Sequence, residues 1–231
     1  MNMIDAIVFW ESFTRIPGHA GAGFRLRILD LGAILASGFS DPYIAFLEET
    51  MKTLLHTCCA PCANQCIEVL QTDGLDVTAY WYNPNIHPFT EYRSRRNCLR
   101  DYCVSIDLPL IERIDYALRP FIREVADDIA HRCVKCYEMR LRETARFAAE
   151  NGFDSFTSSL FISPYQNHEL MREVAERAAF EHGVKFEYRD FRPYFKPGQE
   201  KARELGMYIQ KYCGCVFSEE ERYIKAKKII P

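Results

Sequence analysis

The sequence predicts an α/β protein with a doubly wound parallel sheet, because strand-like and helix-like segments alternate from Lys52 onward. Short apolar or β-branched runs predict five strands, over residues 52–55, 77–81, 108–114, 156–162 and 184–188. Apolar residues at helical spacing predict helices over 61–70, 91–104, 119–126, 137–150, 169–182, 200–208 and 218–228. A chain with this alternation buries a parallel sheet between two layers of helices.

The first fifty residues differ in composition from the rest, since they contain no lysine. They lack the basic start and continuous apolar stretch of a signal peptide. Met51 stands directly before the first predicted strand and would be a natural start. We therefore expect residues 1–50 to be a dispensable extension or a mis-assigned start, and residues 51–231 to be the catalytic α/β domain. The alternative is a helical appendage around Pro42–Met51.

The first strand-to-helix turn is the part of the chain on which the function depends. Leu54 and Leu55 end an apolar run, and the turn that follows carries Cys58, Cys59 and Cys62. α/β proteins commonly place their chemistry at such turns. A nucleotide-binding turn would need glycines so that backbone N–H groups can approach phosphates, and residues 56–62 contain none. The turn therefore indicates sulfur chemistry and argues against ATP.

Ten cysteines in 231 residues are many for a chain of this size. A secreted disulfide scaffold would be shorter, with cysteines spread through its loops. Here they occur in short-spaced groups, which predicts a reducing, cytoplasmic compartment with metal or redox chemistry. No apolar run approaches the roughly 20 residues that a membrane-spanning helix needs.

A second cysteine pair, Cys133-Val134-Lys135-Cys136, complements Cys58 and Cys59. Four thiolates fit either a zinc tetrahedron or a [4Fe–4S] cluster. Structural zinc sites usually take two pairs of the Cys-x(2–4)-Cys kind, and two adjacent cysteines do not match that spacing. The spacing thus favours iron–sulfur and leaves zinc open. Cys62 is a candidate ligand of a second metal, or it merely lines the site.

Cys213-Gly214-Cys215 is a separate feature. A disulfide across one residue closes a strained ring, which makes it easily reduced, and Gly214 supplies the backbone freedom for that ring. We expect a reversible dithiol/disulfide, and the alternative is two spare thiols. Cys66, Cys98 and Cys103 are expected to be buried and inert.

Three further groups of residues are candidates for a role in the reaction. Arg93, Arg95 and Arg96 form a basic run that predicts contacts with RNA phosphates, although such a run is commonly a solvated helix face. The aromatic residues that could stack on bases are Tyr80, Trp81, Tyr82, Tyr165 and Tyr194. The candidate proton donors are His56, His87 and His168.

Several motifs, in one order, carry a family resemblance. They are Leu-Leu-His-Thr-Cys-Cys-Ala-Pro-Cys (54–62), Tyr-Asn-Pro-Asn-Ile-His-Pro (82–88), Arg-Cys-Val-Lys-Cys-Tyr (132–137), Ile-Ser-Pro-Tyr-Gln-Asn-His-Glu (162–169), Asp-Phe-Arg-Pro (190–193) and Tyr-Cys-Gly-Cys (212–215). Over residues 51–231 the chain resembles the QueH-type epoxyqueuosine reductases. The resemblance implies a fold of the adenine-nucleotide α-hydrolase-like type.

The resemblance also implies a reaction and a site. The reaction is the reduction of epoxyqueuosine to queuosine at the wobble position of tRNA, with electrons from a donor that the sequence does not identify. The implied [4Fe–4S] ligands are Cys58, Cys59, Cys133 and Cys136, and the implied redox pair is Cys213 and Cys215. Some members hold an additional iron, which Cys62 could contact here. Two alternatives stay open at this point, an ATP-dependent tRNA-modifying enzyme and a zinc-stabilised RNA-binding adaptor without catalysis.

Overall fold

Five parallel strands form one sheet in the computed structural model, which describes residues 50–224. The strands are β1 (Lys52–His56), β2 (Asp76–Trp81), β3 (Leu110–Glu112), β4 (Ser155–Ser158) and β5 (Lys185–Phe186). Their order is β3-β2-β1-β4-β5, and every neighbouring pair is parallel. The chain therefore reverses its direction across the sheet between β1 and β4, as in a doubly wound fold. The predicted fold class is confirmed.

The crossovers between strands are helical. The α-helices of the described residues are α1 (Ala60–Thr72), α2 (Phe89–Ser105), α3 (Leu118–Val125), α4 (Arg132–Glu150), α5 (His168–His182), α6 (Phe195–Glu204) and α7 (Val216–Tyr223). Helix α1 packs on β2, α2 and α6, whereas α4 and α5 pack on each other and on β1, β4 and β5. The crossover from β1 to β2 runs across the sheet in the opposite direction to the crossovers from β3 to β4 and from β4 to β5. Right-handed connections therefore place these two helix groups on opposite faces. No helix in residues 50–224 is long and apolar enough to cross a bilayer.

Some predicted boundaries differ from the observed ones. Helix α4 begins at Arg132, five residues before the predicted start, so Cys133 and Cys136 lie in its first turns. The strand predicted over 156–162 ends at Ser158 and continues as a short 3-10 helix, Ser159–Ile162. The predicted helix 200–208 is observed as Phe195–Glu204. Pro197 is tolerated there because it lies in the first turn, where N–H groups have no intrahelical partner.

The predicted N-terminal extension, residues 1–50, lies outside the described residues except for Thr50. The end of the last predicted helix, after Ile224, also lies outside them. Strand β1 is the centre of the described sheet, and its Leu54 and Leu55 are completely buried. The chain leaves this strand directly into the turn that carries the first cysteines.

Candidate cysteine-rich active site

Three cysteine sulfurs meet at the end of β1. Cys59 is the N-cap of α1 and has an extended backbone, so Cys58 precedes the helix and Cys62 lies in its first turn. The sulfurs of these three residues all lie within 4.8 Å of one another, and all three side chains are buried. Cys62, predicted as a ligand of a second metal or as a lining residue, belongs to this group. We call Cys58, Cys59 and Cys62 the inner thiols.

Hydrogen bonding divides the protons unequally among the inner thiols. Hydrogen bonds with Cys59 and Cys62 hold the pKa of Cys58 well below the usual range, helped by the charges of Arg140 and Arg95. Burial raises the pKa of Cys59, and the hydrogen bond to Cys58 raises that of Cys62. A metal that binds all three sulfurs must therefore displace protons from Cys59 and Cys62.

Four other cysteines line one cavity of about 410 Å³. Cys133 and Cys136 reach it from the start of α4, and Cys213 and Cys215 reach it from the loop before α7. Cys133 and Cys213 are exposed, whereas Cys136 and Cys215 are buried. The structure thus brings the predicted ligand pair Cys133/Cys136 to the same cavity as the predicted redox pair Cys213/Cys215, whereas the other predicted ligands, Cys58 and Cys59, group with Cys62. We call these four residues the cavity thiols.

A buried arginine adjoins both groups of thiols. Arg140 is 1% exposed, and its Nη2 donates to the sulfur of Cys136 at 2.7 Å. Its positive charge also lowers the pKa of Cys58. Burial nevertheless raises the pKa of Cys136 to about 12. A guanidinium removed from water is costly unless an anion or several acceptors compensate it, so Arg140 favours negative charge on the sulfurs around it.

The loop that contains Cys213 is held by a second buried arginine, Arg95. Its guanidinium donates to the carbonyl oxygens of Tyr212 at 2.8 Å and Cys213 at 2.9 Å, and it pairs with Glu91 at 2.6 Å. The predicted phosphate contact of Arg95 does not fit this position, because the side chain is 1% exposed and its donors are engaged.

The other two arginines of the predicted phosphate-binding run lie nearer the surface. Arg96 is partly buried and pairs with Glu112 at 2.7 Å. Arg93 is exposed and makes no ion pair within residues 50–224. Of the three predicted contacts, Arg93 thus has the position that a surface phosphate contact requires.

Gly214 has the backbone conformation that the Cys213–Cys215 loop requires. Its φ is +148°, which L-residues rarely adopt, and an added Cβ would lie 3.2 Å from Cγ1 of Ile86. The Gly214 carbonyl accepts from the His87 N–H at 2.7 Å, and its N–H donates to Ser218 at 3.1 Å. The loop is therefore fixed from both sides.

Side-chain amides contact the sulfurs, and the sequence analysis missed them. Asn85 donates to Cys136 at 3.1 Å, Gln166 to Cys213 at 3.1 Å, and Gln210 to Cys62 at 3.2 Å. Such donors favour the thiolate form and can orient a metal ligand. Asn85 and Gln166 lie inside two of the quoted motifs, and that position could have identified them as candidate site residues. Gln210 lies in none of the motifs.

The three candidate histidines are buried. Both ring nitrogens of His56 have partners, Ser158 at 2.8 Å and the Tyr82 carbonyl at 3.1 Å, which assigns it a structural role. The ring nitrogens of His87 and His168 have no partner within the described residues. Burial lowers the pKa of His87 to about 4. A histidine with this pKa is neutral near pH 7 and is a poor proton donor in this conformation.

Comparisons with known proteins agree on one family. A family model described as "Epoxyqueuosine reductase QueH" matches residues 53–221. The protein of that name from Dehalococcoides mccartyi is 42% identical over 174 residues, which are 75% of this chain and 96% of the relative. The one from Acinetobacter baylyi is 36% identical over 72% of this chain and 80% of its own length.

A solved structure, of a predicted tRNA methyltransferase subunit from Methanocaldococcus jannaschii, aligns with a TM-score of 0.43 and 10% identity. The alignment covers 67% of this chain and 75% of that chain. The family model covers well over half of the present sequence, and the Dehalococcoides relative is matched over nearly its whole length. The chain therefore belongs to the epoxyqueuosine reductase QueH family.

Proposed function

We propose that this protein reduces epoxyqueuosine to queuosine at the wobble position of tRNA, the last step of queuosine biosynthesis. Family membership supports the reaction. The observation that carries the proposal is the cavity of about 410 Å³ lined by four cysteines. This volume lies in the usual range for small-molecule sites, so the modified base can be expected to enter it.

The donor set suits a [4Fe–4S] cluster. Thiolates are the usual ligands of such clusters, and amide donors near the sulfurs are a common way to adjust their potentials. An iron–sulfur cluster with four thiolates carries net negative charge, which the buried Arg140 and Arg95 would compensate. We infer that the cluster is held by Cys58, Cys59, Cys133 and Cys136. Once bound, it would supply single electrons beside the cavity.

Cys62 is our proposed contact for an additional iron, because its sulfur lies within 4.8 Å of those of Cys58 and Cys59. The side chain of Gln210, which donates to this sulfur at 3.2 Å, would stabilise its thiolate. The same three sulfurs could also bind zinc, which prefers thiolate and imidazole ligands. Measurement of the iron, zinc and sulfide content of the purified protein distinguishes an iron site from a zinc site.

The Cys213/Cys215 pair can supply the electrons and protons that the reaction consumes. Conversion of an epoxide to an alkene takes up two electrons and two protons and releases water. Oxidation of two thiols to a disulfide supplies that number of electrons and protons. Cys213 is exposed and Cys215 borders the same cavity, so both can act beside the substrate. An external electron donor must then reduce the disulfide before the next turnover.

The substrate base must leave the anticodon loop to reach the sulfurs. Sequence-specific RNA recognition usually takes unstacked bases from single-stranded loops. Arg93 is our remaining candidate for a phosphate contact within the predicted run, since it is exposed. We further propose that residues 51–231 suffice for the reaction, because the family match begins at Thr53, and that the protein works in the cytoplasm.

The test is conversion of epoxyqueuosine-containing tRNA by anaerobically purified protein with a chemical reductant, followed by mass analysis of the nucleosides. We expect queuosine from the native protein and at least a hundredfold slower formation with Cys213→Ser. The control is Cys98→Ser, which alters a half-buried thiol outside both thiol groups and should retain the native rate. A metal-loaded native protein that forms no queuosine would refute the proposed function.

A further inference from the structure

We propose that Tyr165 is a base-stacking residue at the mouth of the cavity and positions the anticodon loop for the reaction. This inference rests on the proposed function, because it assumes that the cavity receives a base from tRNA. It assigns to one side chain the recognition step that the cysteines cannot perform.

The position of Tyr165 distinguishes it from the other aromatic candidates. Its side chain is 84% exposed, yet the residue lines the cavity together with Cys133 and Cys213. Tyr80 and Trp81, by contrast, are completely buried and serve the core. An aromatic ring that is open to solvent beside a reactive cavity can offer its face to a base.

Among the described residues, the aromatic contact of the Tyr165 ring is with one neighbour. Phe195, the first residue of α6, contacts it edge to face, with centroids 5.9 Å apart and planes at 84°. This contact fixes the ring direction without covering it. Aromatic side chains also lose little conformational entropy on binding, so a supported ring is an economical platform.

The loop that carries Tyr165 is tied to the redox pair. The next residue, Gln166, donates to the Cys213 sulfur at 3.1 Å and accepts from the Tyr137 hydroxyl at 2.6 Å. The Tyr165 N–H itself donates to Ser163 Oγ at 3.3 Å. A base stacked on Tyr165 would therefore lie at a set distance from Cys213, which is what positioning for reaction requires.

Two exposed lysines that neighbour Phe195 and Cys213 in the sequence favour RNA over an apolar partner. Lys196 follows Phe195 and Lys211 lies two residues before Cys213, and both are exposed. Neither side chain makes an ion pair with the described residues. A stacking ring accompanied by unpaired ammonium groups is the usual combination in proteins that bind single-stranded nucleic acid.

A matched control exists on α5. Phe180 is 91% exposed but does not line the cavity. Exposure is thus not evidence of binding by itself. If stacking depends on place rather than on exposure, then truncating Phe180 has no effect on RNA binding.

The experiment measures binding of a fluorescent anticodon stem-loop to the full-length protein by anisotropy, without turnover. We expect Tyr165→Ala to weaken binding about 10- to 100-fold, as for loss of one stacked base. Tyr165→Phe keeps the aromatic ring, so it should bind the stem-loop with an affinity within about twofold of the native protein. Phe180→Ala should bind the stem-loop with the native affinity. The slope of log affinity against log salt concentration should be the same in Tyr165→Ala as in the native protein, because the substitution removes no phosphate contact.

Two results would overturn the inference while leaving the reductase function intact. One is native-like binding and conversion by Tyr165→Ala. The other is a loss of turnover in Tyr165→Ala only with a protein electron donor and not with dithionite, which would assign the ring to donor docking. A native protein that binds no stem-loop and forms no queuosine would instead refute the proposed function. Circular dichroism of each variant verifies folding, which an exposed side chain should not affect.

Discussion

The guanidinium of Arg140 lies 2.7 Å from the sulfur of Cys136, and both side chains are buried. Cys136 is one of the cavity thiols, and the charge of Arg140 also acts on Cys58, one of the inner thiols. A single cation is thus shared by sulfurs that are distant in the sequence. This arrangement suits a site that must hold extra negative charge when it receives an electron.

We predict that Arg140→Met lowers the reduction potential of the proposed iron–sulfur cluster. Removal of a buried positive charge destabilises the more negative, reduced state, with a shift on the order of 100 mV for a charge near 4 Å at an intermediate dielectric. Redox titration followed by electron paramagnetic resonance measures it. Arg142 lies on the same helix as Arg140, but it is about half exposed and pairs with Glu181 of α5, so Arg142→Met should shift the potential far less. Equal potentials in the native protein and Arg140→Met would contradict the role of Arg140.

Arg95→Met should destabilise the protein by about 3–5 kcal/mol, because it leaves the Glu91 carboxylate buried without its cation. It should also release the loop of Cys213, whose carbonyl accepts from Arg95. Urea unfolding gives the stability, and Arg95→Met/Glu91→Gln should recover part of the loss. Arg96→Met, at a partly exposed pair, should cost about 1 kcal/mol or less. Equal losses in Arg95→Met and Arg96→Met would show that burial of the Arg95 pair has no energetic consequence.

Gly214→Ala should cost about 1–3 kcal/mol, since its φ of +148° is strained for alanine and the new Cβ meets Ile86 at 3.2 Å. It should also slow disulfide formation between Cys213 and Cys215, measured by thiol trapping after a defined oxidation. The control is Gly206→Ala, where φ is +64° but nothing lies within 4 Å of the added Cβ. A native rate of disulfide formation in Gly214→Ala would show that the backbone conformation of Gly214 has no influence on the Cys213–Cys215 pair.

His87 should make stability depend on pH. Burial lowers the pKa of His87 from its ordinary value of 6.5 to about 4. Between these two values the unfolded chain binds a proton at His87 that the folded protein does not bind. Stability from this group is full above pH 6.5 and falls as the pH drops toward 4, by about 2 kcal/mol between pH 7 and 5. Urea unfolding at both pH values, in the native protein and in His87→Phe, isolates the effect.

His87→Phe should lose about 2 kcal/mol less stability than the native protein between pH 7 and 5. If His87→Phe and the native protein lose equal amounts, His87 is protonated alike in the folded and unfolded states.

The local signals explain how much the sequence could predict. The turn after Leu55 was predictable because an apolar run is followed by Pro61, which suits the first turn of a helix. The start of α4 was not predictable from the sequence, because its N-cap residue, His131, makes no side-chain cap hydrogen bond. The first turns of that helix therefore carry no capping signal that a sequence pattern can detect.

Long-range contacts explain what the sequence could not show. The burial of Arg95 depends on carbonyl groups of Tyr212 and Cys213, more than 100 residues away in the chain. A basic run cannot reveal such a partner, so its arginines resembled a surface face. The grouping of Cys62 with Cys58 and Cys59 was easier to predict from the sequence, because the first helical turn brings together residues that are three and four positions apart.

The metal and sulfide content of the protein tests the central claim most directly, namely that Cys58, Cys59, Cys133 and Cys136 hold one iron–sulfur cluster. Anaerobically reconstituted native protein should contain about four sulfide and about four to five iron per chain, the fifth iron being the additional one proposed at Cys62. Cys133→Ser should lose most of the sulfide and iron, while Cys98→Ser retains them. One zinc and no sulfide in the native protein, or a full cluster in Cys133→Ser, would contradict it.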